Sequence, residues 1–260
     1  MSKYIDTHMH LYDEAFNEDR DAVVAKMKDA GVVHCIMPAI DISTSAAQLQ
    51  CCGLYGDYTS LAFGLHPTSI NASWRDELDF VIDQMKTEDI SRVCAVGEIG
   101  LDEYWSKEFS AQQKKVFMEQ IKLAEELDLP MIIHLRDATE SLFEVFENMK
   151  GVRMRGVFHA FSDSYEMYER INRYGDFLVG IGGVVTFKNA QVAKALERIP
   201  IDRIVYETDS PYLSPVPFRG KRNDSSNILY ISHKVAEIKM MDEDILAQKV
   251  METTKNWFNL

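Results

Sequence analysis

The hydrophobic residues of the chain fall in short runs, and most of these runs are separated by stretches with a helical period. Eight runs have the length and the Val, Ile, Phe and Tyr content of β-strands. They cover residues 4–8, 32–39, 60–66, 92–98, 130–135, 155–161, 177–183 and 203–209. Several are apolar at successive positions, which is typical of parallel strands buried on both faces. The pattern therefore predicts a parallel sheet covered by helices.

Amphipathic or capped stretches predict seven helices, at 18–30, 110–128, 137–149, 163–174, 189–198, 226–239 and 242–258. Gly31 ends the first helix and Pro130 ends the second. Asp137, with Glu140 three residues later, forms a capping-box pattern at the start of the third. The second helix has one apolar stripe, formed by Val116, Ile121, Leu123, Ala124 and Leu127.

Eight strands that alternate with helices in a chain of 260 residues predict a (β/α)8 TIM barrel, a fold of the α/β class. A doubly wound open sheet is the alternative, but no G-x-G-x-x-G follows the first strand. The chain has no linker or repeat, and the Pro-rich piece at 210–217 lies inside the last βα loop. We therefore expect a single TIM-barrel hydrolase domain over residues 1–260.

Polar residues that can bind metals or titrate follow six of the eight predicted strands. The carboxyl ends of barrel strands meet at one mouth, where barrel enzymes have their active sites. The residues at these ends are His8, His10, His66, Glu98, His134, His159 and Asp209. The imidazoles of His8, His10, His134 and His159, with the two carboxylates, suit two cations better than one, and Glu98, entering centrally, is the candidate for the bridging carboxylate.

The H-x-H pair is informative by itself. Side chains two apart on a strand point to the same face, so His8 and His10 could reach one metal, with Asp6 in the same layer. Taken singly, His134 and His159 are as well explained as core histidines, and Asp209 as the cap of a turn. The metal interpretation depends on all of them meeting at one mouth.

Acidic residues outnumber basic ones by 41 to 28, which gives a formal charge of −13. This balance argues against a generic nucleic-acid binder with a basic face. Any nucleic acid must therefore be held at a local site. The composition is 46% hydrophobic and 27% charged, so the chain can form a sizeable core.

Cysteine usage and the N-terminus favour a cytoplasmic protein. Cys51 and Cys52 are adjacent, the other cysteines are Cys35 and Cys94, and no C-x-x-C pair occurs. This pattern favours buried thiols over a disulfide framework or a zinc knuckle. The first ten residues contain no apolar signal region, and no run of about 18 apolar residues occurs. We expect no contact with a membrane and no obligate protein partner.

Seven motifs, in this order and spacing, resemble the TatD family of metal-dependent hydrolases, which are amidohydrolase-like barrels. They are DTHMH, GLHP, GEIGLD, HLRDA, HAFS, ETDSPYL and RGKRN, and the match runs from about residue 4 to the last helix. The resemblance implies a deoxyribonuclease, several members being 3′ exonucleases. It also implies two divalent cations (Zn, Mn or Mg) bridged by Glu98, one bound by His8, His10 and Asp209, the other by His134 and His159.

The expected reaction is the hydrolysis of a DNA phosphodiester by a water that two cations activate. Asp209 would accept the proton of this water as general base. His66 would hydrogen-bond the substrate or assist proton transfer, and Asp102 and Glu207 would orient the ligands. DNA or a nucleotide would be held at the mouth by basic side chains, namely Arg136, Arg219, Lys221 and Arg222.

Two positions depart from the pattern of the family. Asp163 follows HAFS where members often have glycine, and it would place a negative charge at the rim of the mouth. Ser225 replaces the proline of RGKRNEP, and it would loosen the long loop after the last strand. These departures affect the choice of substrate and touch no proposed ligand.

Two other functions fit a metal-binding barrel. One is the hydrolysis of a small cyclic amide, lactone or phosphoester; relatives of that kind often bridge their metals with a carboxylated lysine at strand 4, where this chain has Glu98. The other is a metal-binding or scaffold protein without turnover. A panel of substrates on metal-loaded protein separates the three functions.

Overall fold

A computed structural model describes residues 2–87 and 92–260. Eight parallel strands form one sheet in chain order, and Thr7 N donates to Tyr206 O (3.0 Å) between the last strand and the first. The chain is therefore a TIM barrel, as predicted. The strands are β1 Tyr4–Asp6, β2 Val32–Pro38, β3 Thr59–Phe63, β4 Val93–Asp102, β5 Met131–Arg136, β6 Arg155–Phe158, β7 Asp176–Ile181 and β8 Ile204–Tyr206.

Helices follow all eight strands and surround the sheet. They are α1 Arg20–Asp29, α2 Ile42–Leu54, α3 Trp74–Thr87, α4 Ser110–Glu126, α5 Thr139–Asn148, α6 Tyr165–Ile171, α7 Gln191–Leu196, α8 Ile228–Lys239 and α9 Glu243–Phe258. The helices that correspond to the seven predicted ones all form. Helices α2 and α3 were not among the predictions.

The sequence carried signals for both of these helices. Asp41 caps α2 through Ser43 N (3.0 Å) and forms a capping box with Thr44, but α2 has no charged residue to mark its solvent face. In α3, Leu78 and Val81 are buried at helical spacing. The α2 segment was hard to recognise as a helix because no charged residue marks its solvent face. The α3 segment is amphipathic, and its pattern was sufficient to predict a helix.

Two local predictions are wrong. Helix α5 begins at Thr139 after Ala138, which makes no side-chain cap, and Asp137 adopts a left-handed φ of 52°. Asp137 therefore lies in the turn out of β5 and cannot form the predicted capping box. Leu127 lies beyond the end of α4 and is 38% exposed, so it does not belong to the apolar stripe of that helix.

Side chains alternate between two hydrophobic clusters, as parallel strands under helices require. The larger cluster lies between the sheet and the helices. The smaller one takes residues from seven strands, and Phe258 of α9 packs against them. Its other members are Ile36, Ala62, Cys94, Ala95, Ile132, Val157, Leu178 and Val205. Packing inside and outside the sheet thus fixes the strands whose ends carry the polar side chains.

The predicted state of the thiols is confirmed. Cys35, Cys51, Cys52 and Cys94 are all buried and free. Within residues 2–87 and 92–260, the structure contains no helix with the length and apolar character that a membrane span needs.

Candidate metal centre

The H-x-H pair lies just beyond β1 and not within it, because the strand ends at Asp6. The chain stays extended there, since Met9 forms a bridge with Ser210. His8 Nε2 and His10 Nε2 therefore still converge, and they lie 3.7 and 3.6 Å from Asp209 Oδ1. The predicted alternation holds although the regular strand has ended.

Glu98 is the centre of the cluster. It was expected at the end of its strand, but it lies inside the ten-residue β4. Its Oε2 is 3.1 Å from His8 Nε2. Its Oε1 is 3.0 Å from His134 Nδ1, 3.3 Å from His66 Nε2 and 3.7 Å from His159 Nε2. One buried carboxylate thus faces four imidazoles from four strand ends.

Asp209 follows β8 in a left-handed conformation, with φ at 57°, which aspartate adopts more readily than most residues. Its backbone N donates to His8 O (2.9 Å), and its Oδ1 lies 3.8 Å from His159 Nε2. The last strand end is thereby tied to the first. Several imidazoles therefore lie close to both Asp209 and Glu98.

Tyr12 determines which nitrogen of His10 faces the centre. Its hydroxyl donates its single proton to Pro38 O (2.6 Å). The contact of 2.9 Å between His10 Nδ1 and Tyr12 Oη must then have His10 as donor. His10 Nε2 is left with a lone pair directed toward Asp209, the arrangement that a metal ligand needs.

Two further carboxylates contact the outer side of the histidine cluster. Asp102 Oδ2 is 2.9 Å from His134 Nε2, and Glu207 Oε1 is 3.1 Å from His159 Nδ1. Gly180 makes room for Glu207, since a Cβ there would lie 2.0 Å from Oε2. In each pair the other ring nitrogen points to Glu98, which is the geometry expected for carboxylates that orient ligands.

His66 differs from the other histidines at the centre. Thr68 N donates to His66 Nδ1 (3.2 Å), so this nitrogen carries a lone pair. In the neutral ring the hydrogen is then on Nε2, which faces Glu98 Oε1. Burial lowers the pKa of His66, although Glu98 acts in the opposite direction. His66 is therefore a neutral hydrogen-bond donor at the edge of the cluster.

Electrostatics keep both central carboxylates ionised. Burial by itself raises the pKa of Glu98, but His66, His8 and His159 together hold it well below its usual value. Burial also opposes ionisation of Asp209, and His159 with His10 lowers its pKa in the same way. The centre thus presents two anionic groups among imidazoles.

His8 and His159 differ in how readily they are protonated. Burial lowers the pKa of His8. It acts likewise on His159, but Glu207, Glu98 and Asp209 raise the pKa of that residue to about 10. The two rings stack with centroids 3.5 Å apart, so two positive charges there would repel each other.

The donor set fits divalent cations. His8 is fully buried, and neither of its ring nitrogens makes a hydrogen bond within residues 2–87 and 92–260, although Nε2 lies 3.1 Å from Glu98 Oε2. A buried polar group without a partner is costly, and a cation would supply one. Three groups have ligand atoms within 4.8 Å of one another: His8 with His10 and Glu98, His8 with His159 and Glu207, and His66 with Glu98 and His134.

The cluster forms part of the wall of a cavity of about 790 Å³ at the barrel mouth. All the predicted ligands except the fully buried His8 line it. The rim carries side chains of mixed character, namely Tyr12, Asp13, Glu14, Trp105, Arg136 and Tyr212. The cavity therefore connects the cluster with the polar and aromatic side chains of the rim.

The predicted substrate-binding residues do not lie together. Arg136 lines the cavity, whereas Arg219, Lys221 and Arg222 are absent from its wall. Arg222 is paired with Asp19 (2.6 Å), and the Arg219 guanidinium stacks on Phe187 at 4.2 Å from the ring centroid. Contacts of these three with a substrate stay a prediction.

Asp6 and the two departures from the family pattern have structural roles. Asp6 supports the cluster through the backbone: its carboxylate accepts from His8 N (3.1 Å), from Thr208 N (3.0 Å) and from the hydroxyl of Ser225. Ser225 is fully buried and anchors the loop that it was expected to loosen. Asp163 is exposed, accepts from Ser164 N (2.6 Å) and does not line the cavity.

Aromatic residues at the mouth were not found from the sequence. Tyr12, Tyr104, Trp105 and Tyr212 follow predicted strand ends by three to seven residues. Their proximity to ligand motifs was the available signal. Their contacts depend on partners far along the chain, such as Pro38 for Tyr12.

A TIM barrel with imidazoles and carboxylates at its mouth defines the class of metal-dependent barrel hydrolases. The family model described as TatD related DNase matches residues 5–259. The chain belongs to this family, and it is a metal-dependent hydrolase.

Proteins and structures similar to the chain agree with this class. "Uncharacterized metal-dependent hydrolase YabD" of Bacillus subtilis is 35% identical over 256 residues, covering 98% of each chain. "Uncharacterized metal-dependent hydrolase YcfH" of Escherichia coli is 32% identical over 98% of this chain and 96% of its own. The crystal structure of YJJV, a TatD homologue of Escherichia coli, superposes with a TM-score of 0.86 at 27% identity, covering 99% of this chain and 98% of that one.

Proposed function

We propose that this hydrolase cleaves phosphodiester bonds of DNA from free ends, in the manner of a 3′ exonuclease, and that it uses two divalent cations. The observation that carries the proposal is the cluster around Glu98 and Asp209 at the floor of the cavity. Its ligands would be His8, His10 and Asp209 for one cation and His134 and His159 for the other, with Glu98 shared.

Local charge makes a polyanionic substrate compatible with an acidic chain. Two divalent cations would outweigh the charges of Glu98 and Asp209, so the floor of the cavity would be positive although the chain carries −13. Arg136 adds a guanidinium on the rim. DNA or a nucleotide would thus be held at one local site.

The side chains of the centre can divide the hydrolysis among them. Divalent cations, when bound, supply Lewis-acid stabilisation of the charge that develops on the phosphoryl group. Asp209, ionised and beside His8 and His10, would accept a proton from the attacking water as general base. His66 would donate from Nε2 to an oxygen of the substrate.

Metal stoichiometry tests the centre separately from the substrate. We expect metal analysis of protein loaded with Mn or Zn to reach two cations per chain, because the cluster offers more ligands than one cation needs. A chelator should remove activity, and Zn, Mn or Mg should restore it to different extents. A plateau at one cation would contradict the two-cation proposal.

A panel of substrates tests the reaction. Metal-loaded protein should shorten single-stranded DNA with a free 3′ end, and it should leave closed circular duplex and 3′-blocked strands intact. The panel also contains a lactone, a cyclic amide and a small phosphoester. Preferential turnover of one of these would favour a small-molecule hydrolase instead.

A matched pair of variants excludes a contaminating nuclease. His159→Gln removes a proposed ligand, whereas His233→Gln changes an exposed histidine paired with Glu243. Activity should disappear with the first change and persist with the second. Equal activity of both variants would show that the nuclease comes from another protein.

Salt dependence tests how the DNA is held. About three phosphate contacts to a single strand correspond to a slope near −2 in log K against log salt. Replacing Arg219, Lys221 and Arg222 together should raise KM and flatten this slope. A much steeper slope would indicate an extended basic surface.

A further inference from the structure

We infer that Tyr104, Trp105 and Arg136 form a stacking site for the nucleobase next to the phosphodiester at the metal centre. The inference rests on the proposed function. The Arg136 guanidinium carbon lies 3.7 Å from the Tyr104 ring centroid and 5.3 Å from that of Trp105. The two aromatic rings lie 4.9 Å apart at 84°. They and the guanidinium form one contiguous group, which we name the rim stack.

The aromatic rings of the rim stack are largely exposed to solvent. Trp105 is 71% exposed and Tyr104 is 51% exposed. Trp105 and Arg136 both line the cavity that contains the metal ligands. An exposed tryptophan face that borders an active-site cavity is available to a planar ligand.

One carboxylate links the rim stack to the metal centre. Asp102 Oδ1 accepts from Tyr104 N (3.0 Å) and Trp105 N (3.4 Å), and Oδ2 is 2.9 Å from His134 Nε2. The backbone N of Glu103 also donates to Arg136 O (2.9 Å). Because of these bonds, the aromatic pair is held at a defined position beside His134.

The charge of the rim indicates where a polyanion would lie. Asp13 and Glu14 line one part of the cavity rim. A second cavity that they also line continues with Glu18, Asp19 and Arg222, and Arg222 is paired with Asp19. Arg136 lines the central cavity, and no carboxylate within residues 2–87 and 92–260 forms an ion pair with it. A nucleic-acid strand would therefore leave the centre over the rim stack, with a phosphate near Arg136.

The same features define the class of ligand. Every nucleobase has an aromatic face, so stacking on Trp105 would be tolerant of sequence. A base inside a duplex is already stacked and paired, so the rim stack would bind an unpaired nucleotide at a strand end. A lactone or a cyclic amide without an aromatic ring would gain nothing from it.

Steady-state kinetics with two oligonucleotides test the rim stack. One is ordinary single-stranded DNA, and the other carries a tetrahydrofuran residue without a base next to the cleaved bond. Trp105→Ala should raise KM for the ordinary strand about ten-fold, which is within the range of one lost base stack. The value of kcat should change much less, and Trp105→Phe should restore most of the affinity.

The baseless strand is the critical comparison. Its KM should already be high for the unaltered protein and should not rise further in Trp105→Ala. Tyr230→Ala changes an exposed aromatic residue that does not line the cavity, and it should leave both strands unaffected. An equal effect of Trp105→Ala on the two strands, or no effect on either, would overturn the inference.

A binding measurement separates this inference from the proposed function. The chain has three tryptophans, and deoxyadenosine monophosphate should quench the fluorescence of Trp105 in metal-loaded protein. Quenching that Trp105→Ala abolishes, in a protein that cleaves no DNA, would support the rim stack and contradict the nuclease. DNA cleavage without such quenching would support the nuclease and contradict the rim stack.

Discussion

The two ends of the barrel surround imidazoles with opposite partners. At the mouth, burial disfavours the charged form of His159, but three carboxylates raise its pKa to about 10. Near the other end, burial lowers the pKa of His34 in β2 to about 4, and Lys255 adds to this. His34 Nε2 contacts the neutral hydroxyl of Ser60 (2.8 Å). Burial lowers the pKa at both sites, and the neighbouring groups give the two imidazoles opposite net shifts.

This contrast explains why one end of the barrel is suited to cations. A carboxylate in a core is costly unless a positive group or a metal compensates for it. At the mouth, Glu98 and Asp209 face inward together with Asp102 and Glu207. At the other end, a neutral imidazole needs no such group. The following predictions test this difference between the ends, from the largest expected effect to the smallest.

Glu98→Gln should have the largest effect. It keeps the shape of the side chain but removes the charge that four imidazoles face. We expect both cations to bind more weakly and kcat to fall by about 10³-fold or more. Metal analysis and kinetics measure the two changes. Retention of two tightly bound cations would contradict the bridging role of Glu98.

Asp209→Asn should separate chemistry from metal binding. The variant loses the proposed proton acceptor, and general bases contribute about 10²–10⁴-fold. We expect a loss of kcat in that range while part of the metal and substrate affinity remains. A nearly normal kcat would show that another group accepts the proton.

Tyr12→Phe tests a residue that acts through His10. Without the hydroxyl, His10 Nδ1 loses its acceptor and the tautomer is no longer fixed. We expect metal affinity to fall about 10-fold, measured by titration calorimetry. The metal-free protein should also lose about 1–3 kcal/mol of its free energy of unfolding, because Pro38 O and His10 Nδ1 lose a buried partner. Tyr58→Phe removes another buried hydroxyl, bonded to Val32 O (2.8 Å), and should not change metal affinity.

His34→Gln tests the other end of the barrel. Because its folded pKa of about 4 lies below the usual 6.5, the unfolded state binds the proton better. The free energy of unfolding is therefore undiminished above about pH 6.5, and it decreases as the pH falls toward 4. Denaturant unfolding at pH 7 and pH 5 measures this effect. Between these two values, the free energy of unfolding should fall by about 1–2 kcal/mol less in His34→Gln than in the unaltered chain.

An exposed histidine provides the control for this measurement. His233→Gln should keep the acid dependence of the unaltered chain, because His233 is largely exposed and lies beside Glu243. If His34→Gln were as sensitive to acid as the unaltered protein, the neutral state of His34 would be contradicted.

Local pattern was sufficient for the fold because the necessary signals lie within a few residues. Runs such as 130–135 and 177–183 are apolar at successive positions, and they became β5 and β7. Strand ends of a parallel barrel share one mouth, so His134 and His159 could be placed near each other before any contact was known. The α2 helix was missed because its weak period needed the support of packing.

The contacts between residues far apart in the chain could not be predicted from the sequence. Arg222 pairs with Asp19, 203 positions earlier, and Ser225 anchors Asp6, 219 positions earlier. Both contacts depend on how loops from distant βα units meet at the rim. The local pattern of hydrophobic and polar residues carries no information about such contacts.

The sequence by itself therefore determined the TIM barrel and the chemical types that meet at its mouth, since strand period and strand order are encoded locally. Only the tertiary structure decided which nitrogen of each imidazole faces the centre. Tyr12 directs His10 through Pro38, Asp102 faces His134, and Glu207 faces His159. A hydrogen bond requires a particular distance and angle between two groups, and only packing fixes these.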